Sequence, residues 1–101
     1  PANRFAASFL GRPAINLLLM EGGRQLGLRP EHLLPSREEG LPAQVLRREW
    51  WGHEPLVWLS TERGELRMLL SPGTELPDPL KVRWRPEHEL WFDATSGERQ
   101  R

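Results

Sequence analysis

A carboxylate sits beside an imidazole twice in this chain, at Glu31-His32 and at Glu87-His88, each time inside the tetrapeptide Arg-Pro-Glu-His. Such pairs can do two kinds of chemistry: they can ligate a metal ion together, or they can move a proton as general acid and base. The third histidine is His53, and a metal site would need the histidines, alone or with Glu31 and Glu87, to converge. The competing reading is structural. Proline holds the residue before it extended and has no N–H to give to a sheet ladder. Each copy then reads as a strand exit: an extended Arg, a Pro, and a tight turn led by Glu. The sequence between the copies is dissimilar, so they are not a duplicated unit, and two turns are favoured over a twin Glu–His site.

Other chemistry is scarce. There is no phosphate-cradling Gly-rich loop and no Ser in a nucleophile-elbow context. The absence of cysteine removes disulfides, thiolate zinc sites and thiol catalysis. No catalytic, cofactor-binding or metal-ligating residue is therefore assigned. Lys+Arg and Asp+Glu balance at 14 each. A neutral domain lacks the cationic excess that phosphate backbones require, so nucleic acid is not expected as a partner.

The 5 tryptophans are many for this length. Strand alternation assigns Trp58 and Trp84 to the core. Trp50 and Trp51 are adjacent and must point to opposite faces of a strand, and Trp91 lies opposite Leu90 and Phe92. An outward Trp50 or Trp91 is a candidate interface anchor. Edge packing and ligand stacking are the alternatives. Arg47, Arg48, Arg83 and Arg85 are weaker candidates for contact with a small anionic ligand.

The elements that position these residues follow from periodicity and punctuation. Asn3 suits an N-cap, Phe5 and Phe9 lie four apart, and Gly11 and Pro13 stop a helix, which predicts a short helix over about 4–10. The period then becomes strand-like. A short apolar run covers 14–20, and short strands are expected over 25–29, 43–51, 55–61, 65–71, 80–85 and 89–94. A loop with one tight turn is expected over 31–42. Gly64 is the expected positive-φ residue of a hairpin. Leu80, Val82 and Trp84 should face one way, with Lys81, Arg83 and Arg85 facing the other. The fold class is mainly β: a small OB-like antiparallel barrel or partial barrel with a short N-terminal helix. The first residue is Pro1 rather than Met, and the chain reads as a piece of a longer protein. No apolar run approaches the roughly 20 residues of a membrane helix.

Four motifs, in order, resemble one family. Pro1, Asn3, Phe5, Ala7, Phe9, Leu10, Gly11, Pro13 and Asn16 match the junction that follows the nucleotide-binding domain in ATPase subunits of carbohydrate ABC importers. The stretch Gly27-Leu28-Arg29-Pro30-Glu31-His32 is similar to that family's second hallmark. Glu49, Gly52 and Glu54 match its third, with Trp51 for the usual Leu, and Glu87, Phe92, Asp93, Gly97 and Arg99 match its closing motif. The maltose and glycerol-3-phosphate type importers are the nearest resemblance.

That resemblance implies a C-terminal, transport-associated OB-like domain that helps two ATPase subunits dimerise and, in some members, binds a regulator. It implies three parts: a helical junction (1–13) from an upstream ATPase domain, the OB-like regulatory domain (14–94), and a polar tail (95–101). It also implies a homodimer, permease subunits reached through the parent ATPase, and a position at the cytoplasmic face of the membrane. ATP and Mg belong to the ATPase domain of the parent, so this fragment is not expected to be an enzyme. A small-ligand or regulator sensor on the same fold is the alternative. The family usually has several tens of residues between the Asn16 motif and the second hallmark, where this chain has only Leu17–Gln25. An open barrel or a swapped dimer would follow from that shortfall.

Overall fold

In a computed structural model, residues 13–93 of the chain are described. The helix expected over 4–10 and the tail over 95–101 lie outside them. Within them, short apolar runs broken by Gly and Pro form antiparallel strands. These are β1 (Asn16–Leu19), β2 (Arg24–Leu28), β3 (Leu34–Ser36), β4 (Leu41–Trp51), β5 (Glu54–Thr61), β6 (Gly64–Leu69), β7 (Leu80–Arg83) and β8 (Leu90–Asp93). They make a three-stranded sheet in the order β1-β2-β8 and a five-stranded sheet in the order β3-β7-β4-β5-β6. The mainly-β, OB-like partial barrel expected from the sequence is what the chain adopts.

The core lies between the sheets. Leu18, Leu26 and Leu28 enter from the smaller sheet, and Val57, Leu59, Leu66, Met68 and Val82 enter from the larger. Each such side chain contributes about 1.5–3 kcal/mol when fully withdrawn from water. Alternation works as expected in β7, where Leu80 and Val82 are buried, Trp84 just beyond packs against the core, and Arg83 and Arg85 are exposed. Gly64 has φ 124° and opens β6 after the tight β5–β6 turn. The chain between β1 and β2 is only Met20 and a three-residue 3-10 turn, Glu21–Gly23.

Three expectations change. Leu34-Pro35-Ser36, expected within a loop, pairs with β7 as β3, an edge strand that tolerates its proline. β4 begins at Leu41, earlier than 43, because Leu41–Ala43 pair with Leu80–Val82. Trp58 is not core filler. Its neighbours Val57 and Leu59 point inward, and Trp58 lies half-buried on the outer face of the larger sheet. Apolar residues occupy both faces of β5, so alternation cannot tell which face is inside.

Candidate functional site

The two Arg-Pro-Glu-His copies are one device built twice. Pro30–His32 and Pro86–His88 each form a single 3-10 turn, entered by an extended arginine with ψ 139° in both cases. In each, the His N–H donates to the Arg carbonyl at 2.9 Å, and the next N–H donates to the Pro carbonyl. The first turn carries the chain from β2, in the smaller sheet, to β3, in the larger. The second carries it back, from β7 to β8. Because β2 pairs with β8 and β3 with β7, the two crossings lie side by side. Their histidines stack, with ring centroids 3.8 Å apart and planes 18° apart.

This stack joins the two crossings, and its chemistry is that of a packing contact. Ligands to one metal aim ring nitrogens at a common point, whereas these rings face each other. Nδ1 of His88 is buried without a hydrogen-bond partner among the described residues. The third histidine, His53, is exposed in the β4–β5 turn. Among the described residues, no three His, Cys, Asp or Glu side chains form a metal-binding group.

Glu89, which directly follows the second turn, is a residue that sequence reasoning missed. Its carboxylate accepts from Trp84 Nε1 at 2.9 Å and from Trp91 Nε1 at 3.2 Å, tying β7 to β8 across the crossing. Trp91 packs against the core, with Arg24 4.3 Å above its ring. Of the two tryptophans proposed as interface anchors, Trp50 is the one standing in solvent, at 71% exposure.

Trp50 lies on an arm of β4 that leaves the barrel. β4 pairs with β7 only at Leu41–Ala43, while β5 follows it to Trp51. Over 44–50, one edge of β4 therefore has no strand partner among the described residues. A bulge at Leu46 twists this arm, and Val45 (42% exposed), Leu46 (51%) and Trp50 crowd it with apolar surface. An unpaired edge with exposed large apolar side chains is a template for another strand.

On the outer face of the larger sheet, Arg47, Trp58 and Arg67 lie in one cross-strand row. Arg47 stacks 4.3 Å from the Trp58 ring centroid and Arg67 5.3 Å from it. Glu49 bonds both Arg47 Nε (3.2 Å) and Trp58 Nε1 (3.1 Å), so Arg47 is already engaged. Burial lowers the Arg67 pKa from its ordinary value, yet a guanidinium remains charged throughout the physiological range. Arg67 also holds the incoming chain. Its Nη2 donates to the carbonyl of Ala14 at 2.9 Å. The Asn16 amide meanwhile accepts from Arg67 N at 2.8 Å and donates to Arg67 O at 2.9 Å. Asn16 is 3% exposed and replaces a strand on the β6 edge.

The four candidate arginines do not gather. Arg47 and Arg48 sit on the β4 arm. Arg83 lies at the opposite end of the sheet, where it lines an open cavity of about 500 Å³ with Leu18, Met20, Leu41, Arg63 and Trp84. Arg85 is exposed at the entry to the second turn.

Over 98% of its length the chain is similar to the sn-glycerol-3-phosphate import ATP-binding protein UgpC of Paracoccus denitrificans, at 29% identity. It is similar over the same share to UgpC of Cereibacter sphaeroides, at 32% identity. It spans 36% of the length of each relative. The alignments run to 126 and 124 positions against a chain of 101, so each relative carries residues with no counterpart here. The family described as the TOBE domain matches residues 26–96, a stretch that holds both crossings, the β4 arm and most of the core. With most of its length inside that match, the chain belongs to the TOBE domain family.

Proposed function

We propose that this chain is the regulatory and dimerisation domain of the ATP-binding subunit of a bacterial or archaeal ABC importer for sugars or related solutes. Its similarity to UgpC along nearly its whole length supports the parent. In that parent, ATP and Mg act in a separate ATPase domain, which also meets the permease subunits at the cytoplasmic face of the membrane. The single observation that carries dimerisation is the β4 arm, an unpaired edge bearing Val45, Leu46 and Trp50. Two copies pairing antiparallel along 44–50 would satisfy both edges and bury the Trp50 side chain of each copy, and a central buried Trp is a favoured interface anchor. Holding two such domains together tethers two ATPase domains while they open and close.

Sedimentation equilibrium of the chain from low to high micromolar concentration tests this. A concentration-dependent dimer is expected, weakened at least about tenfold by Trp50→Ser, which corresponds to 1.4 kcal/mol. A strict monomer throughout would remove the reading.

A sensor role is the second reading, and the open cavity lined by Arg63 and Arg83 favours it. Its floor is apolar and Arg63 and Arg83 stand in its wall. Glu39 and Glu62 also line it. Titration calorimetry with sn-glycerol 3-phosphate and other phosphorylated sugars should give heat that Arg83→Ala abolishes. A flat response across the panel would dismiss a sensor.

A further inference from the structure

A second cleft, of about 510 Å³, opens where β7 begins and the open edge of β4 starts. Pro42, Ala43, Pro79 and Leu80 give it apolar wall, and the carboxylates of Glu62 and Asp78 also line it. Among the described residues lining it there is no lysine, arginine or histidine. The two cations next in sequence serve elsewhere. Lys81 Nζ donates to the Glu38 carbonyl at 3.1 Å, and Arg63 lines the other cavity, which Glu62 also borders. The cleft is therefore apolar and acidic at once.

On the reading that two copies pair through β4, on which this inference rests, we propose that the cleft is the seat of Trp50 from the second copy, and that Arg48 of that copy meets the carboxylates. Direction is the first support. Antiparallel pairing along 44–50 sets the two ends of the segment against each other, so position 50 of one copy arrives at position 44 of the other. Gln44 lines the cleft. Two-fold symmetry makes the same contact at both ends.

The face is the second support. Residues directly opposite across a strand pair share a face of the sheet. Trp50 lies opposite Pro55, Arg48 opposite Val57, and Ala43 opposite both Thr61 and Leu80. Val57 and Leu80 are core residues, and Pro55 and Thr61 alternate in step with Val57. Trp50, Arg48, Ala43 and Leu80 thus all stand on the core side of the larger sheet. A two-fold axis normal to the paired strands keeps that side common to both copies, so the incoming indole falls where Ala43 and Leu80 wall the cleft.

Chemistry is the third support. Trp50 is 71% exposed and Arg48 is exposed two residues before it. Indole Nε1 and guanidinium only donate hydrogen bonds, and ionised carboxylates only accept them. Glu49 is held on the other face by Arg47 and Trp58, so Arg48 is the charge that travels with Trp50. Arg48 lies about 7 Å along the strand from Trp50, a distance an extended arginine can bridge. A volume within the range of about 300–1,000 Å³ typical of binding pockets has room for one indole. Each end of the paired strands then finishes on an aromatic anchor in a pocket, the usual setting of an interface hot spot.

Isotope-filtered NMR on an equal mixture of labelled and unlabelled 101-residue chains tests this, at a concentration where sedimentation shows a dimer. Cross-peaks are expected from the Trp50 ring of one chain to the Ala43 and Leu80 methyls of the other. A dimer whose Trp50 rings meet each other or Leu46 instead overturns the seat and leaves dimerisation standing. A strict monomer at every concentration overturns both. Charge exchange supplies an independent readout. Asp78→Arg should weaken dimerisation about tenfold by setting like charges together, with the far-UV spectrum unchanged, and adding Arg48→Asp to the same chain should restore it. Dimerisation indifferent to Asp78→Arg, or not restored by the exchange, counts against the seat.

Discussion

Asn16 shows how much one buried polar side chain can decide. The edge of β6 presents a backbone N–H and C=O at Arg67, and the Asn16 amide meets both from the other sheet, 51 residues away in sequence. An unsatisfied buried polar group costs about 1–3 kcal/mol. Asn16→Ala should therefore lower unfolding free energy in urea by about 2–4 kcal/mol, with two groups orphaned and some water entry relieving them. Asn16→Asp should do little better, because its second oxygen would face the Arg67 carbonyl. The stacked histidines act more weakly. His88→Ala should cost about 1 kcal/mol, the scale of a packed aromatic pair, and the loss should fall short of additive when combined with His32→Ala. Neither effect was legible in the sequence. The repeated Arg-Pro-Glu-His revealed two similar turns, but only the pairing of β2 with β8 and β3 with β7 brings the histidines together.

At the scale of elements, punctuation carried the reading. Gly64 marked a real hairpin, and Pro30 and Pro86 marked real strand exits. The failures share a cause: pairing that short-range pattern cannot see. Leu34-Pro35-Ser36 has a poor strand sequence and becomes β3 because β7 offers an edge. Trp58 looks like core because it sits in an apolar run, yet Arg47, Glu49 and Arg67 make the outer face its place. Gly27 belongs to the same scale. It sits in the middle strand of the smaller sheet, where Phe92 and Ile15 close over it. Gly27→Ala should destabilise by about 1–3 kcal/mol through overpacking, read as a lower urea midpoint with an unchanged slope. The Leu90 carbonyl at 3.3 Å from the new methyl limits how far the strands can yield.

For the whole molecule, a thin core, two crossings and one projecting arm define what the domain can do. The two sheets are joined by paired turns on one side and by Asn16 on the other, and among the described residues β7 pairs with β4 only at Leu41–Ala43, leaving the rest of that edge open over 44–50. The mainly-β OB-like class was legible from turn spacing, and the domain's kinship from four short motifs. The arm was only half legible: one of Trp50 and Trp51 had to face outward and Trp50 was one of two candidate anchors, but the open edge beside it depends on where β7 stops. The most direct measurement is amide hydrogen exchange along 44–51 at several protein concentrations. If two copies pair through β4, the amides on its open edge exchange quickly at low micromolar concentration, gain protection as concentration rises, and lose that gain in Trp50→Ser. Exchange along this arm that is the same at every concentration would contradict dimerisation through β4.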